Sequence, residues 1–128
     1  MAEPTGKQLG RGRALASLIA AAFTLRIRRF EIADRSMEPT LGDGNWVLGA
    51  VRSGSVRPGD IVVLEMPGRP GFEIVKRVAA IGDGSLLLEG DNPAAGSVDS
   101  ETFGPVPAAA VSARLVLRYR PLPPRLLR

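Results

Sequence analysis

The chain has 128 residues and contains neither histidine nor cysteine. This composition excludes a Ser-His-Asp triad, a thiol nucleophile, disulfide bonds and the common zinc sites. The length fits one domain, and a hydrophobic content of 45% with 23% charged residues is ordinary for a folded protein. No cofactor or metal is predicted.

The net charge of +4 is unevenly distributed along the chain. Residues 1–30 carry six basic groups and one acid, residues 31–117 carry seven basic groups and twelve acids, and residues 118–128 carry four arginines. An acidic body between two basic ends is unlike a nucleic-acid groove, so no nucleic-acid partner is predicted. Basic ends suit an anionic membrane surface, or they serve as solubilising tails.

Residues 14–25 form an uncharged stretch of twelve residues between arginines. As a helix it would span about 18 Å, against about 30 Å for a hydrocarbon core, so it is too short to cross a bilayer unaided. Three interpretations remain: an interfacial or shortened membrane anchor, a signal-peptide-like segment, and a short helix packed on the domain. The first implies a membrane-associated protein, and without an anchor a cytoplasmic location is open.

Six strands are predicted from alternating or continuous apolar runs bounded by turn residues. They lie at residues 25–32, 46–51, 61–66, 72–80, 86–89 and 111–119. The Gly82-Asp83-Gly84 turn indicates a hairpin, and a long polar loop is predicted at residues 90–107. The fold is therefore mainly β, with an N-terminal basic and apolar segment at residues 1–24, a β domain at 25–120 and a basic tail at 121–128.

The run Ser36-Met37-Glu38-Pro39-Thr40-Leu41 follows the first predicted strand. Pro39 disfavours a helical conformation at Glu38, and the glycines at 42 and 44 add turn signals. We therefore expect Ser36 to lie where a strand ends and the chain turns, with its hydroxyl able to face a cleft.

Elimination leaves one side chain that can activate this serine. Arginine cannot act as a base, and only Lys7 and Lys76 among the 17 basic residues are lysines. Lys7 lies in a polar N-terminal stretch, whereas Lys76 shares one face of a predicted strand with Phe72, Ile74 and Val78. Lys76 is then either a base made neutral by burial or a surface lysine that snorkels out at a strand edge.

The loop at residues 90–100 is rich in turn formers. It is either an ordinary surface loop shaped by Asx turns or a support for the two candidate residues. In the second interpretation Ser97 hydrogen-bonds Lys76 and aims it at Ser36, while Asp91 pairs with Arg77 and holds the strand.

Together these segments resemble the type I signal peptidase family of Ser-Lys endopeptidases, from about residue 30 to residue 122. The matching motifs occur in the family's order. They are Ser36-Met37-Glu38-Pro39-Thr40-Leu41, Gly59-Asp60-Ile61-Val62-Val63, Val75-Lys76-Arg77-Val78, Gly90-Asp91-Asn92 with Ser97, Asp99 and Ser100, and Arg118-Tyr119-Arg120-Pro121-Leu122. The stretches 90–95 and 103–107 also resemble the small branch of nickel-type superoxide dismutase maturation proteases.

The resemblance implies a catalytic domain of antiparallel sheets with a short N-terminal helix. It implies that Ser36 is the nucleophile, Lys76 the general base and Ser97 the group that orients Lys76. Met37 would line the substrate cleft, and the surrounding loops would be held by Arg77, Asp91 and Asp99. Two residues before the nucleophile some members carry a hydroxyl that helps the oxyanion hole. Asp34 stands there in this chain and cannot donate when ionised.

The predicted activity is cleavage of a signal or pro-segment from a precursor polypeptide that binds as an added strand. A dedicated maturation protease for a nickel-type superoxide dismutase is one alternative. Two further alternatives are a self-cleaving repressor-type domain, which also uses serine and lysine, and a catalytically inactive β module that binds peptides.

Overall fold

The protein is described by a computed structural model, which covers residues 15–16, 26–51, 56–96 and 103–127. In those ranges the chain forms eight strands: β1 Ile27–Glu31, β2 Trp46–Val51, β3 Ile61–Glu65, β4 Glu73–Gly82, β5 Ser85–Glu89, β6 Val106–Pro107, β7 Val111–Arg120 and β8 Arg125–Leu126. Two single-turn 3-10 helices, η1 Pro93–Ala95 and η2 Ala108–Ala110, lie between them. Most of the predicted N-terminal helix lies outside the described residues; the two that are described, Leu15 and Ala16, are helical.

The strands form one antiparallel sheet in the order β1-β2-β7-β3-β4-β5-β6, with β8 added to β7. The prediction of a mainly β fold is confirmed. The six predicted strands are all present, with ends that differ by no more than two residues. No strand was predicted for β6 or β8, and both are two-residue segments that pair with a longer neighbour.

The hairpin between β4 and β5 has the predicted turn. Gly82 pairs with Ser85, so Asp83 and Gly84 form a two-residue connection. Both central residues have positive φ, 50° and 77°. This left-handed backbone is what a type I′ turn requires and what an Asp-Gly pair adopts most readily. The turn sets the register that places the end of β5 beside the middle of β4.

The central strand β3 is buried on both faces, which divides the core in two. Ile61 and Val63 contribute to a first apolar cluster, which also contains Phe30, Ile32, Met37, Leu41, Val47, Ala113, Leu115 and Leu127. Val62 and Leu64 contribute to a second cluster on the opposite face, with Val78, Leu86, Leu88 and Val106. The uninterrupted run of branched apolar residues in β3 is explained by this double burial.

Candidate functional site

The turn that contains Ser36 is anchored from below by apolar side chains. Met37 and Leu41 are both 0% exposed and belong to the first cluster. The backbone N–H of Leu41 donates to the Met37 carbonyl at 2.9 Å, which closes a single helical turn over these anchors. Ile32 closes the base of the loop by hydrogen bonds with Asn45 at 2.8 Å and Gly44 at 2.6 Å. The turn is therefore held at both ends and has little freedom to shift.

Ser36 itself is 3% exposed, and its two donors go to the same acceptor. The hydroxyl donates to Oδ1 of Asp34 at 2.9 Å, and the Ser36 backbone N–H donates to the same oxygen at 2.9 Å. The backbone bond is an Asx turn, in which a side-chain oxygen accepts from the N–H two residues on. In this state the Asp34 carboxylate therefore holds both groups that a serine nucleophile uses.

Lys76 lies in the middle of β4, directly opposite Val62 of β3. It is 3% exposed. Alternation along β4 places it in a row with Ile74 and Val78, both of which pack in the second cluster. The surface interpretation, in which the lysine snorkels from a strand edge, is therefore wrong, because β4 lies between two other strands and the side chain is covered.

Phe72 was predicted to complete the apolar row beside Lys76, and this is wrong. It precedes β4 and is 45% exposed, with the Arg69 guanidinium 4.2 Å above the ring centroid. The turn at residues 67–71 ends the regular alternation just before the strand begins. Along β4, the described neighbours of Lys76 on its own face are Ile74 and Val78, both of which pack in the second cluster.

An ion pair joins β4 to the loop that follows β5. Nε and Nη2 of Arg77 donate to the two carboxylate oxygens of Asp91 at 2.8 and 2.7 Å, so the pair suggested by the sequence is present. The Thr40 hydroxyl donates to the same carboxylate at 2.6 Å, and Nη1 of Arg77 donates to the Gly59 carbonyl at 2.7 Å. One carboxylate thus connects the Ser36 turn, through Thr40, to the strand that carries Lys76.

The electrostatics of this cluster favour the charged forms of both partners. Burial by itself would raise the pKa of Asp91, but hydrogen bonds from Arg77 and Thr40 outweigh it and hold the pKa below its ordinary value. The hydrogen bond to Asp91 raises the pKa of Arg77. The side chains of Arg77 and Asp91 are 24% and 15% exposed, so solvent screens the pair only in part.

Asn92 was in the motif read from the sequence but was given no role, and the structure supplies one. Its backbone N–H donates to the Ser36 carbonyl at 2.9 Å, and its side-chain amide donates to the Arg35 carbonyl at 3.0 Å. These two bonds place the backbone of the Ser36 turn beside the segment that leaves β5. The sequence signal for this role was the position of Asn92 directly after Asp91, because Asp91 was already expected to pair with Arg77 on the strand that carries Lys76.

A cavity of about 640 Å³ opens beside Ser36. It is lined by two alanines, two carboxylates and an arginine besides the serine, namely Ala33, Asp34, Arg35, Asp43 and Ala95. A second cavity of about 560 Å³ begins at Leu64 and Met66 and extends to Val106 and Ala110. Leu64 and Val106 belong to the second cluster, so this groove opens on the sheet face that carries Lys76.

Two of the predicted supporting residues, Ser97 and Asp99, lie outside the described residues. The other five predicted residues are described, and Ser36, Met37, Arg77 and Asp91 belong to segments that the contacts above bring together. Among the described residues, no helix is long and apolar enough to cross a membrane.

Comparison with known proteins identifies the family of this chain. Residues 12–83 match the model of the family described as signal peptidase, peptidase S26. Mitochondrial inner membrane protease subunit 1 of Xenopus tropicalis is 36% identical, in an alignment covering 68% of this chain and 65% of that protein. The human protein of the same name is 31% identical, with 68% and 66% covered. The chain thus spans about two thirds of the length of these relatives, and it belongs to the signal peptidase family, peptidase S26.

Proposed function

We propose that the protein is a serine endopeptidase that removes an N-terminal signal or pro-segment from a precursor protein, with Ser36 as nucleophile and Lys76 as general base. The observation that carries this proposal is a lysine that is 3% exposed in an aliphatic row, in a chain without histidine. Burial among apolar side chains disfavours the ammonium form, and a neutral amine is what a general base requires. Family membership supports the same assignment.

In the proposed reaction, neutral Lys76 takes the proton of the Ser36 hydroxyl while Oγ attacks the carbonyl carbon of the scissile bond. The tetrahedral intermediate places a negative charge on the carbonyl oxygen, which the Ser36 backbone N–H stabilises. Lys76 then returns the proton to the leaving amine, and water hydrolyses the acyl-enzyme by the same route in reverse. Ser97 orients the amine, while the loops around it are held by Arg77, Asp91 and Asp99.

The proposed substrate is a precursor polypeptide bound as an extended strand. The alanines at 33 and 95 leave room beside Ser36 for a small side chain of the substrate. Met37, which follows Ser36 in the chain and is completely buried, is assigned to the substrate cleft as part of this proposal. The similar proteins are named as mitochondrial inner membrane protease subunits, which supports cleavage of precursors at a membrane surface. A panel of precursors, with and without a superoxide dismutase pro-segment, distinguishes a general peptidase from a dedicated one.

We further propose that the groove from Leu64 to Ala110 takes the apolar part of the precursor, because it opens on the face that carries Lys76. Filling it with Ala110→Trp should raise KM about tenfold and leave kcat within about twofold, since the change removes binding without touching the reacting groups. Ala109→Trp is the matched control, because Ala109 is next to Ala110 in the chain but does not line the groove. Equal KM values for the two variants would exclude the groove.

The central experiment incubates the full chain with a secretory precursor and compares wild type with Ser36→Ala and Lys76→Ala. Wild type should cleave in trans, and both variants should be inactive while their circular dichroism spectra stay unchanged. Retained cleavage in either variant would disprove the dyad. Cleavage of the chain itself would favour the repressor-type alternative, and binding without cleavage the inactive module. Fractionating cells that express the chain with and without residues 1–24 tests the proposed membrane association.

A further inference from the structure

The donor that the proposed reaction needs for its oxyanion is already occupied. A serine nucleophile commonly uses its own backbone N–H to stabilise the charge that develops on the substrate oxygen. In this structure that N–H donates to Oδ1 of Asp34 at 2.9 Å, and the nucleophile's hydroxyl donates to the same atom. An oxygen of Asp34 therefore occupies the position that a substrate carbonyl oxygen would have to reach.

We propose that Asp34 is a resting-state latch, a positioning residue that holds Ser36 inactive until a bound substrate displaces it. This inference rests on the proposed function of Ser36. A carboxylate left beside the developing oxyanion would raise its energy by like-charge repulsion, so the side chain must leave before the intermediate forms. It has room to do so, because Asp34 is exposed and lines the cavity of about 640 Å³.

The latch has a consequence opposite to that of a catalytic carboxylate. If Asp34 were a base that activates the Ser36 hydroxyl, its removal would lower kcat, as removal of a general base does. If it is a latch, its removal frees the N–H and the hydroxyl together, and kcat rises. The two assignments are therefore separated by the sign of one measurement.

The test compares Asp34→Ala and Asp34→Gly, which remove the acceptor oxygen, with wild type in cleavage of a peptide that spans the precursor site, with kcat and KM measured separately. Both variants should raise kcat by about tenfold, which is below the roughly 10²–10³ that a whole oxyanion donor contributes. They should tighten binding of a peptide boronic acid, whose serine adduct carries the oxyanion charge, by a similar factor. Glu31→Ala is the matched control, since Glu31 is an exposed carboxylate three residues earlier that does not line this cavity, and it should change kcat by less than about twofold.

A second measurement tests the latch without any activity. Amide hydrogen exchange of Ser36, followed by NMR, should be slow in wild type and at least about tenfold faster in Asp34→Ala. Wild-type exchange at the rate of a free amide would overturn the latch, and so would an unchanged or lower kcat in both Asp34 variants, or an equal rise in Glu31→Ala. Failure of the proposed function looks different, because then either wild type would not cleave the peptide at all or Ser36→Ala would cleave it as well as wild type.

Discussion

The Arg77–Asp91 pair joins the Ser36 turn to the Lys76 strand, and removing its carboxylate should destabilise the whole domain. Asp91 accepts two hydrogen bonds from Arg77, at 2.8 and 2.7 Å, and one from Thr40 at 2.6 Å. Exposed ion pairs contribute about 0–1 kcal/mol, and breaking a fully buried pair costs about 3–5 kcal/mol. With side chains 24% and 15% exposed, we expect Asp91→Ala to cost about 2–3 kcal/mol, or roughly 8–12 °C in Tm for a domain of this size.

The chain contains its own control for this prediction. Arg28 and Glu73 also form a two-bond ion pair, through Nη1 and Nη2 of the arginine at 2.8 Å each, but their side chains are 49% and 31% exposed. Glu73→Ala should therefore cost no more than about 1 kcal/mol in equilibrium urea unfolding. A double-mutant cycle with the matching arginine separates each pair energy from other losses. If Asp91→Ala costs no more than Glu73→Ala, burial does not strengthen the pair and the reasoning is refuted.

Three further predictions concern the stability of the folded domain. The pKa of Asp91 is lower in the folded state than in the unfolded state. The stabilisation by this carboxylate is therefore complete above the ordinary carboxyl pKa and is lost as pH falls through the lowered, folded-state pKa. When unfolding is measured at decreasing pH, wild type should lose more stability than Asp91→Asn. Leu41→Ala removes a completely buried anchor of the Ser36 turn and should lower the free energy of unfolding by about 2–5 kcal/mol. Leu87→Ala, at a side chain that is 45% exposed, should lower it by less than about 1 kcal/mol. Equal losses would mean that Leu41 does not hold the turn. Gly49→Ala places a methyl group 3.0 Å from Cε2 of Phe30 and should destabilise by about 1–3 kcal/mol in urea unfolding, and an unchanged midpoint would show that β1 can shift to admit it.

Local patterns were sufficient for the strands because strand formation here depends on neighbours in the sequence. The bounds of β2 were predicted to the residue, since a continuous apolar run ends at turn formers on both sides. The hairpin between β4 and β5 followed from Asp83 and Gly84, whose positive φ angles are a property of those residue types. In contrast, β6 and β8 are too short to have a period, and each exists because a longer strand offers an unpaired edge.

For the candidate residues too, some features could be predicted from the sequence and others depended on the tertiary structure. Among the basic side chains, composition alone left two lysines as possible bases, because no histidine is present and arginine keeps its proton. Whether Lys76 is covered depended on its pairing with Val62 and on the strands to either side of β4, which alternation along one strand does not specify.

The hydrogen bond from the Asn92 N–H to the Ser36 carbonyl joins residues 56 positions apart in the sequence. The hydrogen bond from the Ser36 N–H to Asp34 depends on the backbone conformation of one turn. Sequence by itself therefore determined which side chains are candidates for the chemistry and where the six longer strands lie, since both follow from residue type and short-range period. Only the tertiary structure decided which of those side chains are buried and what each one touches, because burial and contact depend on strand order and register across the whole sheet.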